Sequence, residues 1–165
     1  MSKTRPIALS RREVVMGTAT VAATAGTGLS VAPSAFAGPQ EMASELKRVL
    51  GGATLKAGRV KVAIPEITEN GNSMPLKMIV DSPMTAADHV KALHILSEKN
   101  PVAYIARIGL GPRAGRAEVN TSIRVADTQR ITVVAEMSDG SFWSGYANTE
   151  VTGPACVDES QIDRT

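Results

Sequence analysis

Apolar and polar positions change their period once along this chain. Over residues 39–50, Met42, Leu46, Val49 and Leu50 recur at i, i+4, i+7 and i+8, one stripe of a helix suited to packing on a sheet. Pro39 opens the stretch, Glu41 and Glu45 sit early, Lys47 and Arg48 sit late, and Gly51-Gly52 close it. Those charges complement the helix dipole, and proline first with glycine last is the asymmetry expected of helix ends. After Gly58 the period falls to two. Val60, Val62 and Ile64 alternate with Arg59, Lys61 and Ala63 until Pro65, and Leu76, Met78 and Val80 do the same after the turn Asn70-Gly71-Asn72. Val119, Thr121, Ile123 and Val125 oppose Glu118, Asn120, Ser122 and Arg124; Ile131, Val133, Ala135 and Met137 oppose Arg130, Thr132, Val134 and Glu136. Such alternation marks strands with one face in a core and the other in water. The connections at 127–129 and at Ser138-Asp139-Gly140-Ser141 both suit hairpins. Adding the runs near 90–97, 102–109 and 142–151 predicts an all-β fold: an immunoglobulin-like antiparallel sandwich of about seven strands with a short N-terminal helix. Thr152-Gly153-Pro154 then breaks the last strand, so 152–165 is expected to be an exposed arm after a 38–151 domain.

The first 37 residues read differently. Ser10-Arg11-Arg12-Glu13-Val14-Val15 has the paired arginines of a twin-arginine signal, followed by a weakly apolar stretch diluted by Gly17, Thr18, Thr20, Thr24, Gly26, Thr27 and Gly28. Ala35-Phe36-Ala37 supplies a small-x-small cleavage site, so the expected mature chain starts near Gly38 and resides in the periplasm. The stretch is too mild for a membrane span, which needs ~20 predominantly apolar residues. Twin-arginine export carries folded proteins, either with a cofactor or with a bound partner lacking its own signal; no cofactor motif is present, which favours the partner.

Charge narrows the class further. The whole chain holds 18 Lys+Arg and 16 Asp+Glu; removing Lys3, Arg5, Arg11, Arg12 and Glu13 leaves 14 basic and 15 acidic groups, a balance of −1. A near-neutral surface argues against nucleic acid, and there is no basic run for anionic lipid. The 128 remaining residues suit one domain and are too few for a TIM barrel or a full dinucleotide-binding enzyme.

Most candidate chemistry fails on spacing. His89 and His94, the two histidines, are five apart, which separates them on either a helix or a strand and excludes one local metal site. Gly109-Leu110-Gly111 with Gly115 would need a helix next to cradle phosphate, whereas Arg116 to Val125 alternates like a strand. Carboxylates are scattered over wet strand faces, and no nucleophile-elbow motif accompanies the serines. Cys156 stands apart. It is the single cysteine, so an intrachain disulfide is excluded, and an odd thiol in an exported chain is either reactive or paired with another protein. An unperturbed thiol has a pKa near ~8.5, and neighbouring Asp158 and Glu159 oppose its ionisation. Activation must therefore come from a partner, which describes a carrier rather than an enzyme. A thiol-disulfide enzyme would want a second, resolving cysteine.

Val62-Ala63-Ile64-Pro65-Glu66-Ile67-Thr68-Glu69-Asn70-Gly71, Asn100-Pro101, Thr121-Ser122-Ile123-Arg124-Val125-Ala126, Ser138-Asp139-Gly140-Ser141 and the C-terminal cysteine stand in this order along the chain. Together they resemble the SoxY family of sulfur-oxidation carriers. The resemblance implies an immunoglobulin-like sandwich paired with a SoxZ-like subunit. It also implies covalent sulfur attachment at Cys156, no cofactor or catalytic residue of its own, and Sox-type cytochrome and hydrolase enzymes as partners. The arm departs from the family's Gly-Gly-Cys-Gly-Gly ending. Gly153-Pro154-Ala155-Cys156-Val157-Asp158 looks closer to a SoxY-related group with Ala-Ala-Cys-Ile-Glu. Pro154 stiffens the approach, and Val157 with Asp158 adds bulk and charge beyond the thiol. The alternative function is a non-catalytic binding or structural β-sandwich whose cysteine is unused or disulfide-linked to a partner.

Overall fold

The computed structural model describes residues 38–153; the expected signal segment and 154–165, with Cys156, lie outside them. The elements, in chain order, are α1 (Pro39–Leu50), β1 (Leu55–Ala57), β2 (Val60–Ala63), β3 (Ile67–Thr68), β4 (Met74–Val80), β5 (Val90–Ser97), β6 (Tyr104–Gly109), β7 (Glu118–Ile123), β8 (Gln129–Met137) and β9 (Phe142–Val151). They form a β-sandwich. The larger sheet runs β1-β9-β8-β5-β6 with β3 also on β9, and the smaller runs β2-β4-β7.

The period-two residues fill the space between the sheets. Met74, Leu76, Met78 and Val80 point inward from β4, and Ile131, Val133, Ala135 and Met137 meet them from β8. The helix is as the sequence predicts: Gly51 takes the left-handed conformation at φ +56° and returns its N–H to Lys47 O at 3.0 Å. Its stripe, Met42, Leu46, Val49 and Leu50, lies on the outer face of the larger sheet over Leu96, Val134 and Phe142. Val134, expected on a wet face, is consequently buried; alternation cannot show that a helix covers the second face of a sheet.

Two features depart from a purely antiparallel sandwich of about seven strands. The described residues form nine strands, and the two unexpected ones, β1 and β3, run parallel to β9. At three and two residues they are too short to show a period. Between them the chain leaves the edge of β9 to enter the other sheet as β2, passing over Gly145, where a Cβ would stand only 2.2 Å from Val60 O. Glycine is what permits that crossing.

The connection at 127–129 is not a hairpin. The turn at 138–141 does join β8 to β9, with Gly140 at φ +79°. By contrast β7 belongs to the smaller sheet and β8 to the larger, so 124–128 crosses between layers. Buried Asn100, 8% exposed, holds that crossing. Its Nδ2 donates to Arg124 O at 2.8 Å, while its Oδ1 accepts from Ala126 N–H and from Gln129 Nε2, both at 2.9 Å. Gln129 Oε1 in turn accepts the N–H groups of Glu98 and Lys99 at 3.1 and 2.8 Å. A two-sheet crossing leaves backbone groups without ladder partners, and two buried amides satisfy them here. Asn100→Ala would orphan Ala126 N–H, Arg124 O and one side of Gln129. Chemical denaturation should show a loss of about 2–4 kcal/mol; a change under 1 kcal/mol would mean the crossing holds itself.

Candidate functional site

The path of β9 brings the chain to its cysteine. Its last two residues are clamped by the segment 66–71. Glu150 N–H donates to Glu66 O at 2.7 Å, Ile67 and Thr68 pair with Glu150 and Val151, and Val151 N–H reaches Thr128 Oγ1 at 3.0 Å. The clamp then continues past the strand. Thr152 N–H donates to Thr68 O at 2.9 Å, and Gly71 N–H donates to Gly153 O at 2.8 Å. A Cβ on Gly153 would stand 2.0 Å from Glu69 O, so only glycine lets the two backbones approach this closely. Gly71 is itself buried, and its carbonyl accepts Val125 N–H at 2.8 Å.

The arm was expected to begin after Val151; the hydrogen bonds instead hold Thr152 and Gly153 to the sandwich. Of the expected arm residues, Gly153 is the anchored root, while Pro154, Ala155, Cys156, Val157 and Asp158 lie outside the described residues. Cys156 follows Gly153 by three residues, which span at most roughly 10 Å. From Val151 the same rule would have allowed ~17 Å. Around the root, the side chains of Glu66, Glu69 and Glu150 are exposed and make no salt bridge among the described residues. Ile67 is 63% exposed in their midst. The pattern did not reveal this clamp, because Gly153 reads equally well as a strand breaker; its only trace is a glycine directly before a proline at the strand's end.

The other candidates are structural. His89 Nδ1 lies 3.1 Å from Thr85 O. His94 is buried with Nδ1 2.8 Å from the Tyr104 hydroxyl; its Nε2 is 3.7 Å from Glu136 Oε2, too far for a good hydrogen bond. Burial, then the nearby Arg107 charge, hold its pKa below the ordinary 6.5, against a smaller opposing pull from Glu136. Among the described residues no group of three or more His, Cys, Asp or Glu is placed to bind a metal. Gly109, Gly111 and Gly115 flank a single 3-10 turn, Pro112–Ala114, rather than a helix, so no phosphate cradle forms. A cleft of about 770 Å³ is lined in part by Arg59, Asp81 and Glu118. Arg59 Nε is held by the Asp81 backbone carbonyl at 2.8 Å and Glu118 by Lys77 at 2.7 Å, while the side chains of Lys61, Asp81 and Arg116 make no salt bridge among the described residues. No described helix is long and apolar enough to cross a membrane.

Comparison with known proteins turns on the same segments. The profile of the family described as "Sulfur oxidation protein SoxY" matches residues 46–156, from α1 to Cys156 itself. The chain belongs to the SoxY family. Membership makes it a sulfur-oxidation protein and not itself an enzyme. Its fold is similar to that of the sulfur carrier protein SoxY from Chlorobium limicola f thiosulfatophilum, with 21% identity, a TM-score of 0.58 and coverage of 68% of this chain and 97% of that one. A variant of superoxide reductase (neelaredoxin) from Ignicoccus hospitalis shares the fold more loosely, at 14% identity and a TM-score of 0.50 over 56% of this chain and 78% of that one. None of the curated proteins matches the sequence.

The clamp makes a local prediction. Gly153→Ala should unseat the root, at a cost of about 1–3 kcal/mol for a forced overlap. Hydrogen exchange should accelerate at the Gly71 and Thr152 amides while β8 amides keep their protection relative to global unfolding. Unchanged exchange at Gly71 would show that the root is not held in this way.

Proposed function

We propose that this member of the SoxY family is a periplasmic sulfur carrier, exported folded by the twin-arginine route, which holds sulfur intermediates covalently on Cys156 while partner enzymes of thiosulfate-type oxidation act on them. One observation carries the reading: the last strand is anchored up to Gly153, and three residues later, at the last position the family profile matches, comes the single cysteine. The carrier offers a tethered nucleophile and no catalytic apparatus. A thiol with an ordinary pKa is only a few per cent thiolate at neutral pH, so its partner must deprotonate it. Joining it to a sulfur anion through a new S–S bond releases one proton and two electrons. Loading thus needs an electron acceptor, the place a Sox-type cytochrome fills, and removal of the cargo's oxidised end by water is a hydrolase's task.

The sandwich also supports a second subunit. Among the described residues β6 pairs only with β5 and β7 only with β4, so one side of the sandwich is open. Ile105, Ile108, Leu110 and Val119 from that side are only half-buried although they pack on the core. Unpaired edges with core side chains behind them call for a cover, and a SoxZ-like β-sandwich chain in a heterodimer supplies one.

Intact mass spectrometry of protein taken from the native periplasm during sulfur oxidation tests the proposal. Wild type should carry adducts of sulfane sulfur, sulfonate or thiosulfonate on Cys156, and Cys156→Ser should carry none, because a serine hydroxyl is too weakly acidic to replace a thiolate. The variant should melt within about 2 °C of wild type, the range of a substitution outside the core. A uniformly bare thiol in active cells would refute the carrier.

A further inference from the structure

The clamp on Gly153 limits where a partner enzyme can stand. Resting on the reading of Cys156 as the attachment site, we infer that the enzyme acting on the cargo docks on the collar around the arm's root. In that arrangement Ile67 is the apolar contact, and Glu66, Glu69 and Glu150 face a basic rim on the partner.

The first ground is length. Cys156 lies within roughly 10 Å of an anchored Gly153, since three extended residues reach no farther. An enzyme that takes the thiol into a cleft must then bring the rim of that cleft against the sandwich surface beside Gly153. A long flexible arm would place no such demand. The second ground is what that surface presents. Ile67 is a β-branched apolar side chain left 63% exposed on a strand that clamps β9 through the carbonyls of Glu66 and Thr68 on either side of it. Clamping needs only the main chain of β3, so the exposed isoleucine is unexplained by the fold. The third ground is charge. Glu66 and Glu69 flank Ile67 in sequence and Glu150 is paired opposite it, three exposed carboxylates with no salt bridge among the described residues. Glu66 and Glu150 line one cleft with Glu98, Lys99 and Arg130, and Lys99 is already paired with Asp127 at 2.9 Å, so the surface beside Ile67 keeps an acidic excess that can steer a basic partner. The partner is thus a protein with lysines or arginines around a cleft whose reacting centre lies no deeper than about 10 Å.

The test compares three full-length forms in the native host: wild type, Ile67→Asp, and the combined Glu66→Lys, Glu69→Lys, Glu150→Lys. After cells are given thiosulfate, the rate at which the adduct appears on Cys156 is followed by intact mass. The purified proteins are separately alkylated with iodoacetamide and melted. Both variants should melt like wild type and alkylate at the same rate, yet load on the order of tenfold more slowly, the scale of a lost steering field. Loading at the wild-type rate in both variants would place the enzyme elsewhere and overturn the inference. So would a fall in alkylation that matches the fall in loading, because the thiol rather than the dock would then be impaired. If wild type itself carries no adduct, the carrier reading fails first, an outcome the same experiment separates from a failure of the collar.

Discussion

A single hydrogen-bonded relay connects the core of this protein to its arm. Buried Asn100 grips the backbone on both sides of Val125, through Arg124 O and Ala126 N–H. Val125 N–H holds Gly71 O, and Gly71 N–H holds Gly153 O. Four segments that are far apart in the chain are thereby locked in order: the turn after β5, the crossing from β7 to β8, the loop after β3, and the exit of β9. Gly71, Val125 and Ala126 are buried, so the relay satisfies backbone groups there that neither sheet's ladder reaches.

The same relay explains the division of labour between the sheets. β9 is the longest strand at ten residues, with β8 along one edge and, along the other, β1, the crossing of β2 at Gly145, and β3. A strand paired with β8 over Phe142–Thr149 and held at both ends of its other edge can deliver its last residue to a defined place. The carrier role then needs little else from the fold. The core between the sheets supplies rigidity, and α1 covers the outer face over Val134 and Leu96.

Much of this was legible in the residues, and the limits of legibility have physical causes. The helix was readable because both its ends and its stripe are local signals. The long strands were readable because one face of each is buried. The 127–129 connection was misread because turn length says nothing of which sheet a strand joins; that is decided by Asn100, 24 residues away from the carbonyl it binds. β1 and β3 have no periodicity of their own and exist only as partners of β9. Cys156 stood out by being alone in an otherwise unreactive chain. Gly153 stood out as a breaker, yet its role as an anchor depends on the backbone of Glu69, which no local pattern shows.

The central claim is that the arm is rooted at Gly153, so that Cys156 stays close to one end of the sandwich. A nitroxide attached to Cys156 reads this directly through the broadening of backbone amide signals. The hairpin at 138–141 lies at the opposite end of β9, some ~30 Å away at ~3.3 Å per residue. The account predicts strong broadening over residues 66–72 and 124–128, with the hairpin amides left sharp. Comparable broadening at both ends of β9 would contradict it, because the label could then reach the hairpin only if the clamp had let go.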